Sequence, residues 1–232
     1  MGNKIRIQGL YKSFGKNQVL NGLTVELETG RVIGLLGENG IGKTTLLQLM
    51  AEILHPDQGY ISYGNMEHNG TAKGCVSFLL EPEYFYSWMS INDAIHFYKD
   101  NFKGFNETKA KAYCNQFHFN LKDKIKKLSK GEKEKVSILL NLSRNACVYL
   151  LDEPAGGFDP KFKKEIMHLI LETMDENKTI ILSTHLLKDF QNIFDDVLIL
   201  RKEDSVYLSC EDIRQNFGVS VEDYYLEVTK ND

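Results

Sequence analysis

The chain has 232 residues, 42% of them hydrophobic and 26% charged, with a net charge of −4. This composition suits one large domain, or one domain with a small insert, and excludes a disordered chain. The mild acidity argues against a protein that grips nucleic acid through bulk positive charge. Cys75, Cys114, Cys147 and Cys210 lie far apart with no CxxC pair, so they read as reduced cytosolic thiols rather than zinc ligands or a redox motif. The longest apolar run, Ala146 to Leu151, has six residues and cannot span a bilayer. Met1 to Arg6 lacks the apolar stretch of a signal peptide, and Arg6 stands where myristoylation requires Ser or Thr. A soluble chain is expected, with any membrane role arising through a partner.

Along the chain, Ile5 to Gln8 and Thr24 to Glu28 alternate with period two, as strands with one buried face do. Arg31 to Leu36 is apolar throughout after Arg31, the pattern of a strand covered on both faces. Similar runs recur at Cys147 to Leu151, Thr179 to Ser183 and Val197 to Leu200, with helical spacing near residues 44–53, 132–144 and 160–174 between them. Buried strands alternating with helices predict a parallel sheet in an α/β core. From about 83 to 128 no such strand occurs. Ser90-Ile91-Asn92-Asp93 resembles a capping box opening a helix through Asn101, and a second helical pattern runs from Asn106 to Phe117. The expected organisation is a core of residues 1–82 and 129–232 with a helical insert at 83–128. Residues 203–232 carry eight acidic side chains against two basic ones.

The strongest chemical signal follows the first buried strand. Gly37-Glu38-Asn39-Gly40-Ile41-Gly42-Lys43-Thr44 matches G-x-x-x-x-G-K-[ST] between a strand and a helix. Glycines let successive backbone N–H groups turn inward around phosphate oxygens, and the helix N-terminus adds partial positive charge. Lys43 is placed to reach the terminal phosphates, and the Thr44 hydroxyl to bind Mg²⁺. Val148-Tyr149-Leu150-Leu151-Asp152-Glu153 is a buried strand ending in two carboxylates. Asp152 would face the metal, and Glu153, one residue on, could polarise an attacking water. Leu128-Ser129-Lys130-Gly131-Glu132 has capping-box spacing ahead of a helix. Read alone it is a helix start; a capped N-terminus with a glycine is also a second anion site.

With these pieces in order, the sequence resembles the nucleotide-binding subunit of an ATP-binding-cassette (ABC) transporter over essentially its whole length. Gly37 to Thr44 resembles the Walker A loop, Leu128 to Glu132 the signature motif and Val148 to Glu153 the Walker B strand. Ala155 to Pro160 resembles the D-loop, and Ser183-Thr184-His185 the switch histidine. The resemblance implies a P-loop NTPase core with a mainly parallel sheet, an N-terminal antiparallel β subdomain and a small α-helical insert. It implies ATP and Mg²⁺ as ligands. Gly37, Asn39, Gly40, Gly42, Lys43, Thr44 and Thr45 would hold the phosphates, Thr44 and Asp152 the metal, and Glu153, His185 and Lys43 would act in hydrolysis. It further implies two subunits stacked head to tail, a homodimer or a pairing with a related cassette, with Ser129 and Gly131 completing the partner's site. Phe14 takes the place of the aromatic that stacks on adenine, with Tyr11 as runner-up. Glu81, in Val76 to Pro82, stands where the family has the Q-loop glutamine, and is expected near the metal. Lys130 and Glu132 replace the signature's usual glycine and glutamine.

Two patches have plainer readings first. The aromatic run Glu83 to Met89 reads as buried packing, with a groove for a membrane partner's helix as the functional reading. The lysines from Lys122 to Lys135 read as a solvated face rather than a lipid contact. The expected function is ATP hydrolysis driving a separate transmembrane permease from the inner face of the cell membrane, without nucleic acid as a partner. The helical insert and Leu79-Leu80-Glu81-Pro82 with its aromatics resemble most the bacterial peptide-export branch, which includes bacitracin and lantibiotic resistance systems and the phenol-soluble-modulin exporter. The alternative is a soluble, non-transport ABC ATPase acting on ribosomes or DNA. A GTPase is disfavoured because Asn177-Lys178-Thr179-Ile180 lacks the Asp of a guanine reader.

Overall fold

In β3 (Val32–Leu36) every residue is buried, and successive side chains enter opposite cores. Ile33 and Leu35 join one apolar cluster, while Val32 and Leu36 join the other. The same division runs through β6 (Val148–Asp152) and β7 (Thr179–Ser183), as the period-two geometry of a doubly covered sheet requires. The computed structural model describes residues 4–64, 75–79, 85–154 and 159–230.

The central sheet has six strands in the order β5-β6-β7-β3-β8-β9, with β5 at Val76–Phe78, β8 at Asp196–Ile199 and β9 at Val206–Ser209. Its pairs are parallel except β8 with β9. One face packs on α1 (Lys43–Met50) and on a second, antiparallel sheet of order β2-β1-β4, formed by β1 (Lys4–Phe14), β2 (Asn17–Glu28) and β4 (Gln58–Tyr63). The other face shares its core with α2 (Ile91–Asn101), α3 (Glu107–Gln116), α4 (Lys130–Leu142) and α5 (Pro160–Thr173). A fully buried Leu or Ile at such a face contributes about 1.5–3 kcal/mol. The C-terminal part adds the short helices α6 (Leu187–Phe190) and α7 (Cys210–Asp212), a π turn at Ile213–Phe217 and α8 (Val221–Val228).

Local chemistry sets the helix starts. Ser90 and Ser129 cap α2 and α4 in reciprocal capping boxes with Asp93 and Glu132. Asp159 caps α5, its Oδ1 accepting from the Phe162 N–H at 3.0 Å, with Pro160 in the first turn. Between β5 and α4 the described chain contains α2, α3, a 3₁₀ turn at Ile125–Lys127 and an isolated bridge of Ser90 with Lys124, while a second bridge ties Phe105 to Arg144 just after α4.

The structure corrects two expectations. Cys75 and Cys147, 72 residues apart, are joined as a disulfide with Cα atoms 5.0 Å apart. Parallel pairing sets Val76 opposite Val148, so the residues preceding β5 and β6 lie side by side. Cys114 and Cys210 are free and buried, and burial pushes both thiols up to about 11. The aromatic run is also not uniformly buried. Met89 is 2% exposed, whereas Tyr86 and Trp88 are 58% and 61% exposed and stack at 6.0 Å. Glu83 and Tyr84 lie outside the described residues.

Candidate active site

The phosphate loop runs from the end of β3 into α1. Gly37, Gly40 and Gly42 have φ of +147°, +82° and +111°, conformations that side chains resist. At Gly42, which precedes α1, an added Cβ would lie 2.8 Å from Val19 Cγ1 and 3.2 Å from Leu20 Cδ2. Only glycine lets the antiparallel sheet close onto the loop there. Lys43 opens α1 and folds back, its Nζ donating to the carbonyls of Gly37 at 2.7 Å and Glu38 at 3.0 Å. Burial pushes the Lys43 amine below its ordinary pKa, while Glu153 and Asp152 oppose that shift. A phosphate would restore to this buried cation the counter-charge that backbone carbonyls supply only in part.

The facing carboxylates stand where β6 ends. Thr44 Oγ1 donates to Asp152 Oδ2 at 2.6 Å, and Ser183 Oγ donates to Asp152 Oδ1. Parallel pairing puts Asp152 beside Ser183, so one strand register delivers both residues to one place. Glu153 follows at φ +45°, left-handed for a non-glycine residue, which costs about 1–2 kcal/mol. Its N–H donates to the Ser183 carbonyl at 3.1 Å and to Ser183 Oγ at 3.0 Å. These bonds hold the strained turn and aim the carboxylate at His185, whose Nδ1 lies 2.9 Å from Glu153 Oε2. With Nδ1 protonated, the ring donates to Glu153 and keeps Nε2 as an acceptor. Ser183 is the site residue that the sequence reading left without a role. The signal for it was a hydroxyl closing a buried strand next to the carboxylate strand.

The start of α4 is separate from this cluster. Ser129 Oγ accepts from the Glu132 N–H at 3.3 Å, and Glu132 Oε2 accepts from the Ser129 N–H at 2.8 Å and from its hydroxyl at 2.7 Å. The Ser129 hydrogen bonds hold the Glu132 carboxyl below its ordinary pKa. Ser129 is exposed and Gly131 half-buried, and the Lys130 side chain is 92% exposed. The neighbouring lysines are only partly a solvated face: Lys124 Nζ donates to the Trp88 carbonyl at 2.7 Å, and Lys135 Nζ sits 3.9 Å from the Phe162 ring centroid.

Of the remaining expected residues, Asn39 and Gly40 are exposed on the loop and Thr45 is half-buried on α1. Phe14 closes the β1–β2 hairpin opposite Asn17, with its ring 49% exposed and Lys12 Nζ 5.7 Å above it. The same hairpin carries Val19 against Gly42. Tyr11 instead turns onto Gly22, where an added Cβ would meet its hydroxyl at 2.7 Å, so Phe14 is the ring left free to stack. Glu81 and residues 155–158 of the D-loop lie outside the described residues.

A family model described as "ABC transporter" matches residues 20–156, a stretch from β2 to beyond Glu153. The chain belongs to the ABC transporter ATP-binding family. It is 35% identical over 219 residues to the uncharacterized ABC transporter ATP-binding protein MJ1023 of Methanocaldococcus jannaschii, covering 92% of this chain and 80% of that one. It is 27% identical over 223 residues to the lantibiotic transport ATP-binding protein SrtF of Streptococcus pyogenes, covering 92% and 96%. A solved ATP-binding subunit of an ABC transporter superposes with a TM-score of 0.85 at 24% identity over 97% of this chain and 99% of that one, which shows the fold. As a member of this family the chain is an ATP-binding subunit of an ABC transport complex and an ATPase. The ribosome or DNA alternative is not favoured. No helix among the described residues is long and apolar enough to cross a membrane.

Proposed function

We propose that this subunit hydrolyses ATP as one half of a head-to-tail dimer at the inner face of the membrane and thereby powers the export of peptides. The observation that carries the hydrolytic half is the cluster at the ends of β6 and β7, where Thr44 meets Asp152 and Glu153 meets His185. In this reading the phosphate loop and Lys43 bind the β- and γ-phosphates, and Phe14 stacks on the adenine. Glu153 orients and polarises the water for in-line attack on the γ-phosphorus, and His185 holds that carboxylate in place. Two hard oxygen donors meeting at 2.6 Å, Thr44 and Asp152, suit Mg²⁺, which would offset phosphate charge there. Ser129 and Gly131 of one chain contact the γ-phosphate bound by the other, so the dimer closes on ATP and opens on hydrolysis.

Residues 83–128 are assigned to the helical subdomain in this reading, and Glu81 is given the role of the Q-loop glutamine. The exposed Tyr86–Trp88 stack is the surface on which a permease helix docks, since paired exposed aromatics mark interaction sites. Peptide export is supported by the lantibiotic-transport relative that aligns along nearly its full length.

The test is purification of a tagged Glu153→Gln chain from native membranes in mild detergent with Mg-ATP, followed by mass spectrometry. The expected result is a stoichiometric partner with several membrane spans, carrying two copies of this chain. A clean dimer without a membrane protein, or one carrying ribosomes, would overturn the exporter reading.

A further inference from the structure

Where β6 and β7 begin, a cleft of about 510 Å³ opens beside the start of α3 and the end of α4. Lys109 of α3, Arg144 after α4 and Lys178 before β7 stand in its walls. Lys178 precedes β7 and Ser183 closes it. The cleft is therefore about 16 Å of strand away from the Asp152–Ser183 cluster, at 3.3 Å per residue.

Its charges are not balanced. Arg144 is 7% exposed, its guanidinium carbon lies 4.3 Å from the Phe102 ring centroid, and its Nε is buried with no hydrogen-bond partner. Among the described residues no carboxylate pairs with it. Burial pushes its pKa down, and only Tyr98 and Tyr149 oppose the shift. Lys109 Nζ donates to the Leu142 carbonyl at 2.9 Å. Burial, then repulsion from Lys178, holds Lys109 below its ordinary pKa, with Glu172 opposing. Lys178 has Asp175 at 2.5 Å. The carboxylate in the wall, Glu107, is engaged by Lys111 at 2.6 Å and Lys99 at 2.7 Å, with His96 at 3.8 Å. A buried arginine is seldom left without an anion, because its planar fork is desolvated at a cost that a bidentate oxyanion offsets.

We propose that this cleft is a second anion site that binds a phosphate-class oxyanion, free or carried on a small organic molecule, through Arg144, Lys109 and Lys178. Arg144 supplies the planar donor fork, and the two lysines supply point charges on either side. Because Lys109 belongs to α3 and Lys178 leads into the central sheet, a bound anion ties the helical segment to the sheet. The site is independent of the ATP site and of the transport reading.

The full-length chain carrying Lys43→Ala, which disables the phosphate loop, is titrated by calorimetry at constant ionic strength. The probes are inorganic phosphate, glycerol phosphate and, as a counter-probe, tetraglutamate. The expected result is saturable one-to-one binding of at least one phosphate probe, weakened about tenfold or more by Arg144→Gln, as loss of a charge-assisted fork predicts. The tighter of the two phosphate probes identifies the source. Lys178→Gln, at a half-buried position on the cleft wall, provides a second variant whose fold is checked by circular dichroism, and it is expected to weaken binding severalfold. Absence of phosphate binding in the Lys43→Ala chain would overturn the proposal. So would affinity unchanged by both substitutions, or binding of tetraglutamate alone, which would assign the cleft to an acidic protein segment.

Discussion

At the ends of β6 and β7, Thr44, Asp152, Ser183, Glu153 and His185 form one connected set of hydrogen bonds, built on two parallel strands whose register cannot slip without exposing core. At the start of α4 the N–H and the hydroxyl of Ser129 both pair with Glu132, within the same turn. Both are helix or strand ends dressed with polar groups, but the first is closed on itself and the second faces outward. The contrast separates what a single chain can assemble from what it can only present. The groups proposed for hydrolysis, which must hold geometry against one another, are placed by the sheet. The α4 start, which the proposed dimer would bring against another chain, is capped, exposed and positively flanked by Lys130.

The closed half should be the more sensitive to substitution. Glu153→Gln keeps the size of the side chain and the Ser183 bonds to its backbone, and removes the charge that would activate water. Turnover of ATP is expected to fall roughly 10²–10⁴-fold, with nucleotide affinity retained, as read by steady-state phosphate release alongside equilibrium binding. Near-normal turnover would move the catalytic role away from the Glu153–His185 pair.

The outward half separates capping from recognition. Ser129→Asp retains a good N-cap, so the melting temperature should hold. It also sets a carboxylate where a partner's γ-phosphate would arrive. ATP-driven dimerisation, measured by light scattering in the Glu153→Gln background, should weaken about tenfold or more. Ser129→Ala is expected to behave differently, losing about 1 kcal/mol of stability with the cap, a drop of about 2–4 °C for a chain of this size. If Ser129→Asp pairs on ATP as well as the parent does, α4 is only a helix start.

How much of this could be read in advance follows the same division. The phosphate loop, the carboxylate strand and the α4 cap were legible because each is local: a few residues in fixed spacing dictate the geometry. The long β1–β2 hairpin was legible only in pieces, since register shifts between Ile7 and Leu10 and between Lys12 and Ser13 break its alternation. The three residues of β5 and the partly buried β9 leave no clear period, and both were missed. The Cys75–Cys147 pair and the role of Ser183 depend on which strands lie side by side, which no spacing along the chain encodes. The exposed Tyr86–Trp88 stack defeats the default that aromatics are buried.

The smallest expected effect tests the chemistry of the α4 cap itself. Ser129, through its side chain and then its backbone N–H, holds the Glu132 carboxyl below its ordinary pKa. A carboxylate lowered on folding contributes stability that is present above the unfolded value near 4.5 and is lost as pH falls through the lower folded value. Glu132→Gln can still accept from the Ser129 N–H but does not titrate. The variant should therefore lie slightly below the parent at neutral pH and lose less stability between about pH 5 and pH 3, and urea melts across that range would show the two curves converging on the acid side. Parallel curves would mean that the Glu132 charge adds nothing to the cap, leaving Lys130 as the residue that gives this turn its electrostatic character.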